Sequence, residues 1–226
     1  MRTRAESEMA KRQILRQSLY YFVRQTFRTV RPGETLIAGE YLEALCFQLQ
    51  RLSETDGARA VINMPPRSLK SIAASVSLCA WHLGHNPSQH ILVVCYNNDL
   101  CKELGRLFRI VIESPWYQDV FPKMRVLKGV KTDTEIITTK MGSRRGISVS
   151  GTVTGMGADL IIIDDITKAS DVASETERER RKVFYDQSLY TRLNNKKDGK
   201  IICISQRLHE EDICGYLLSK GGDGEL

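Results

Sequence analysis

The chain has 226 residues, 42% of them apolar and 27% charged, with 16 Gly and only 6 Pro. That is enough apolar material for one large domain or two small ones, and it excludes collagen, low-complexity disorder and a coiled-coil rod. No apolar run approaches the roughly 18 residues of a membrane-spanning helix, and the opening MRTRAESEMAKRQ lacks the apolar stretch of a signal peptide. The net charge of +6 lies in residues 1–31, where eight basic residues face Glu6 and Glu8; the rest of the chain holds 25 of each sign. A basic arm on a neutral body suggests an acidic partner such as DNA or an acidic protein face, or else a solvated helix face. Six cysteines (46, 79, 95, 101, 203, 214) are scattered without a CxxC pair. They imply a reducing, cytosolic setting and neither a disulfide framework nor a zinc site.

In chain order, residues 8–30 predict one amphipathic helix, with Ile14, Leu15, Leu19, Phe22, Val23 and Phe27 at helical spacing and Arg31-Pro32-Gly33 as its end. A second helix is expected over roughly 39–52, broken at Asp56-Gly57. Residues 60–64 (AVINM) then read as a buried strand, 70–83 as an Ala- and Ser-rich helix, 90–96 (HILVVCY) as a strand and 99–112 as a helix. Two β segments, 135–139 and 147–150, flank a turn at Met141-Gly142-Ser143. LIIID, 160–164, is a further buried strand, 175–193 a long charged helix with Val183, Phe184, Leu189 and Leu193 inward, 201–205 (IICIS) the last strand and 210–219 the last helix. Uniformly apolar strands alternating with helices predict an α/β fold with a mostly parallel sheet covered on both faces.

The first chemistry-bearing segment is Met64-Pro65-Pro66-Arg67-Ser68-Leu69-Lys70-Ser71, between a strand and a helix. In a phosphate-binding loop, GxxxxGK[ST], backbone amides and a helix N-terminus wrap the phosphates, the Lys reaches the β/γ-phosphates and the hydroxyl holds Mg²⁺. Lys70 and Ser71 occupy those places, but Met64 and Leu69 replace both glycines. The bland alternative is a Pro-Pro turn with an exposed lysine. Asp159-Leu160-Ile161-Ile162-Ile163-Asp164-Asp165 supplies a second piece, an apolar strand delivering two carboxylates at its C-terminal end. ATPases need one such acid near Mg²⁺ and a second to orient water. The third is Cys203-Ile204-Ser205-Gln206-Arg207-Leu208-His209, where Ser205 or Gln206 would sense a γ-phosphate if its strand lies between the other two.

Thr154-Gly155-Met156-Gly157 precedes a strand, so it reads as a turn feeding the carboxylates and not as a dinucleotide fingerprint. The run 175–182 (ETERERRK) reads as a solvated helix face, and His82, His85 and His90 as structural.

Together INMPPRSLKS (62–71), GTVTGMGADLIIIDD (151–165) and ISQRLHEEDI (204–213) resemble the large subunit of tailed-phage terminases, over nearly the whole chain. The resemblance implies an additional-strand, RecA-like P-loop ATPase fold preceded by a helical N-terminal arm, with residues 1–57 as the basic arm and 58–226 as the ATPase domain. It implies Lys70 and Ser71 as the Walker A pair, within a loop where Pro66, Arg67, Ser68 and Leu69 also contact nucleotide, and Arg67 as a loop arginine acting on the γ-phosphate. Asp164 becomes the Mg²⁺-associated acid alongside Ser71, Ser205 and Gln206 the coupling motif, and Asp165 the water-positioning acid where the family usually has Glu. An adenine-contacting segment is expected near Tyr41 to Gln50, and Arg144, Arg145 or Arg207 as an arginine offered to a neighbouring subunit.

The implied cofactors are ATP and Mg²⁺, and the implied partners double-stranded DNA, the portal protein, the small subunit and further copies in a ring, with no membrane, in the cytoplasm of a bacterial host. The final GGDGEL reads like a loop cut partway, and without the family's nuclease domain no DNA cutting is expected. The rival readings are a helicase-like translocase and a prophage remnant that binds nucleotide or DNA without hydrolysis.

Overall fold

The computed structural model describes residues 4–151 and 155–221, so Thr152, Val153 and Thr154 of the 151–165 segment and residues 222–226 of the closing GGDGEL lie outside the described residues. Three helices come first: α1 (Arg4–Gln17), α2 (Leu19–Val30) and α3 (Glu40–Glu54). The single helix expected over 8–30 is broken at Ser18, whose backbone is extended at φ −128°, ψ 114°. The physical reason lies in α3. The Gln50 side chain accepts from Leu19 N–H at 2.9 Å and donates to the Gln17 carbonyl at 3.0 Å, so it satisfies the backbone groups that the break exposes.

Strand β1 (Arg59–Asn63) leads through the 64–69 loop into a π-helical stretch (Ile72–Leu78) continued by α4 (Cys79–His85). Then follow β2 (His90–Cys95), α5 (Asn98–Glu113), α6 (Pro115–Val120), β3 (Val126–Lys131), β4 (Glu135–Thr138), β5 (Ser143–Ser148) and β6 (Leu160–Asp164). Helix α7 (Glu175–Val183) passes into a second π-helical stretch (Phe184–Leu189) and a short 3₁₀ turn (Tyr190–Arg192), before β7 (Lys200–Ser205) and α8 (Ile213–Gly221). The seven strands form one sheet in the order β1-β7-β6-β2-β5-β4-β3. Five are parallel, and β4 and β3 extend one edge antiparallel. The expected mostly parallel sheet is therefore present.

Alternation along β6 shows how both faces are filled. Leu160 and Ile162 join a core beneath α2, α3, α4 and α5, while Ile161 and Ile163 join the opposite core with Tyr185, Leu189, Ile213 and Leu217. Phe22 of α2 packs edge-on to Trp116 and Tyr117 of α6, so the first helices share the larger core with the sheet.

Three expectations are corrected. Val183 is outward, 47% exposed, and Tyr185 is buried in its stead, because the wider π turns at 184–189 rotate the inward face. Within the charged run, Arg178 is buried, donating to the carbonyls of Val172 and Ala173 and pairing with Glu211 at 3.0 Å. The fifth strand begins at Ser143, four residues before the apolar signal, because its Arg144 is buried. Among the described residues, no helix is long and apolar enough to cross a membrane.

Candidate functional site

The sheet order places β7 between β1 and β6, so the loop after β1, the carboxylates ending β6 and Ser205-Gln206 ending β7 meet at the C-terminal edge of three adjacent parallel strands. Parallel sheets bind ligands at this edge. Asn63 is in register with Ser205, and Met64 N–H donates to the Ser205 carbonyl at 3.0 Å, fixing where the loop departs.

Within the loop, Pro66 and Arg67 are exposed and the Ser68 hydroxyl donates to the Pro65 carbonyl at 2.7 Å, closing the turn. Arg67 and Leu69 both hold φ 61°, the left-handed region that glycine normally supplies. Leu69 thus keeps the conformation of the missing second glycine, and its carbonyl accepts from Ala73 N–H at 2.8 Å as the helix begins.

Lys70 is buried, 5% exposed, and its ammonium lies 2.9 Å from Asp165 Oδ2. The other oxygen of that carboxylate accepts from the Ser205 hydroxyl and the Gln206 amide, each at 3.0 Å. Asp165 itself holds φ 46°. Asp164 is wholly buried, and the hydroxyls of Ser71 and Ser75 donate to its two oxygens at 2.9 and 2.6 Å. Burial pushes its carboxyl up to about 6, while the hydrogen bonds from Ser75 and Ser71 oppose the rise.

All three predicted segments are therefore brought together. Sequence reasoning missed Ser75. Its signal was the four-residue spacing from Ser71, which puts both hydroxyls on one helix face. The predicted adenine segment lies in α3, with Tyr41 and Phe47 exposed and Leu42, Leu45, Cys46 and Leu49 in the core.

Of the three arginines expected to reach a neighbour, Arg144 is excluded: it is 1% exposed, with its guanidinium over the Phe108 ring. Arg145 pairs with Glu135 at 2.6 Å, and exposed Arg207 lies 3.5 Å from Asp212. His85 packs against Trp81, while His82 and His90 bond to Gln89 and Ser143, as structural histidines do.

Oxygen donors suit a hard cation: a serine hydroxyl bonded to a buried carboxylate is what Mg²⁺ uses beside phosphates. Among the described residues no group of three or more His, Cys, Asp or Glu could hold a metal by itself.

No protein-family model and no curated protein sequence matches the chain. Among solved structures, the HK97 bacteriophage large terminase is similar at 13% identity and a TM-score of 0.59, over 93% of this chain and 42% of that one. The chain thus spans less than half the length of that protein. Two further solved structures overlap more loosely. The N-terminal domain of the DNA packaging ATPase from bacteriophage phi29 is 16% identical, over 76% of this chain and 83% of that one, at a TM-score of 0.41. The Thermus phage P74-26 large terminase ATPase domain is 17% identical, over 76% and 70%, at 0.38. With its seven-stranded, mostly parallel sheet, this chain therefore shares the fold of the HK97 bacteriophage large terminase.

Proposed function

We propose that this chain is the ATPase domain of a phage or prophage DNA-packaging terminase, hydrolysing MgATP to drive double-stranded DNA into a prohead. The observation that carries the reading is the convergence of Lys70 with Asp165 and of Ser71 with Asp164, each pair at 2.9 Å, at one end of adjacent parallel strands.

In this reading Pro66, Arg67, Ser68 and Leu69 form the loop that receives the phosphates, and the Lys70 ammonium exchanges Asp165 for phosphate oxygens. Asp165, relieved of that partner, orients the attacking water. Ser205 and Gln206 feel the change, because they hold its other oxygen. Arg67, exposed on the loop, adds positive charge toward the γ-phosphate. Ser71 and Asp164 would hold Mg²⁺, which when bound would neutralise phosphate charge. Catalysis is then positioning plus electrostatics.

Residues 58–226 constitute the motor and 1–57 its helical arm. The partners are DNA, a portal protein, a small subunit and further copies in a ring, in the bacterial cytoplasm.

A second reading, nucleotide binding without turnover, draws on one observation. Asp165 is a methylene shorter than Glu and is engaged by Lys70, Ser205 and Gln206 together. The test is MgATP hydrolysis with and without duplex DNA. Wild type should turn over and be stimulated by DNA, and Lys70→Ala should lose about 100-fold or more. Turnover only in Asp165→Glu would favour the second reading, and a fully active Lys70→Ala would overturn the assignment.

A further inference from the structure

Ser75 belongs to no motif that the sequence displays, yet it makes the shorter of the two hydroxyl contacts to Asp164, 2.6 Å against 2.9 Å for Ser71. It is wholly buried in the π-helical stretch among Ile72, Ala73, Ala74, Val76 and Leu78. A hydroxyl placed there costs desolvation free energy unless it is bonded, and this one is directed at a carboxylate oxygen. The arrangement divides the Asp164 carboxylate. Ser75 occupies Oδ2, deep in the core, and leaves Oδ1 to Ser71, the residue next to Lys70. A carboxylate is free to rotate about its last torsion, and two donors from one helix face fix its plane.

We propose that Ser75 is a positioning residue for the divalent cation. By holding Oδ2 it keeps Oδ1 and the Ser71 hydroxyl presented together to the metal that accompanies the nucleotide. This inference rests on the nucleotide-site reading above. Outer hydrogen-bond partners of metal-associated groups typically alter metal affinity 10- to 100-fold when removed. The Ser75 hydroxyl is spent on Asp164, so its loss should weaken the cation and spare the nucleotide.

The experiment is ATP binding by calorimetry on the full chain, first with EDTA and then across a Mg²⁺ titration, for wild type, Ser75→Ala, Ser75→Thr and Lys70→Ala, each checked for folding by circular dichroism. Ser75→Ala should raise the Mg²⁺ concentration for half-maximal enhancement about tenfold, with metal-free affinity within about twofold of wild type. Ser75→Thr, which keeps the hydroxyl, should return the Mg²⁺ requirement to within about threefold, and it decides the matter if the alanine variant fails to fold. An unchanged Mg²⁺ requirement in Ser75→Ala overturns the inference, as does an equal loss of metal-free affinity, which marks a merely structural hydroxyl. Those results leave the nucleotide site standing. Wild type that binds no ATP, or Lys70→Ala that binds it as well as wild type does, overturns the site and this inference with it.

Discussion

Leu69 and Arg67, at φ 61°, and Asp165, at φ 46°, are left-handed residues with side chains, each costing about 1–2 kcal/mol relative to ordinary backbone. Such strain clusters at functional sites: Leu69 and Asp165 adjoin Lys70 and Asp164, Arg67 lies in the same loop, and only Met141, in the turn between β4 and β5, is left-handed elsewhere among the described non-glycine residues. The glycines of a phosphate-binding loop are absent from the sequence, so the pattern fails as text; the backbone conformation that one of them would supply is retained by Leu69. Lys70-Ser71 and Asp164-Asp165 could be picked out as polar residues next to apolar strands, and the structure brings them together. Ser75 was overlooked: its four-residue spacing from Ser71 marks a shared helix face, but its partner Asp164 is brought there only by the fold.

Asp164 carries a prediction of its own. Burial lifts its carboxyl from 3.8 to about 6, so between those values the folded chain retains a proton that the unfolded chain has released. Stability from this group therefore falls as pH rises through that window, by about 3 kcal/mol in full. In EDTA without nucleotide, Asp164→Asn should be more stable than wild type at pH 7.5 by urea denaturation, and the gap should close toward pH 4. A gap that does not depend on pH would contradict the burial account.

At the scale of elements, periodicity located most helices and strands but could not see where a helix stops being an α-helix. The break at Ser18 follows from Gln50, a residue on another helix that bonds both Leu19 N–H and the Gln17 carbonyl. Val183 faces outward because the helix widens at Phe184. Strand β3, VLKGVK, was missed because it carries Lys and Gly at a sheet edge, where apolar alternation is weak. The basic arm is partly docked, with Arg12 3.5 Å from Asp119 and Arg16 donating to the Val120 carbonyl.

The Gln50 staple is testable. Gln50→Ala leaves the partly buried Leu19 amide unsatisfied and should cost about 1–3 kcal/mol, read as a lower urea midpoint, with faster hydrogen exchange at Leu19. A variant with wild-type stability and exchange would mean that water satisfies the break equally well.

For the whole molecule, the α/β class followed from apolar strands alternating with helices, and the site from two strand-end signals ninety residues apart. What linear sequence leaves open is strand order. With β7 between β1 and β6, Ser205 and Gln206 become partners of Asp165, and three distant segments become one site. The likeness to the HK97 large terminase is a likeness of fold at 13% identity; the proposed chemistry rests on Lys70, Ser71, Asp164 and Asp165.

The most direct measurement is a crystal structure of the chain with Mg²⁺ and a non-hydrolysable ATP analogue. The account predicts the triphosphate wrapped by residues 64–71, Mg²⁺ beside Ser71 and Asp164, and Lys70 moved from Asp165 onto the phosphates. Nucleotide bound elsewhere, or bound there with the Lys70–Asp165 pair still closed at about 2.9 Å, would contradict it.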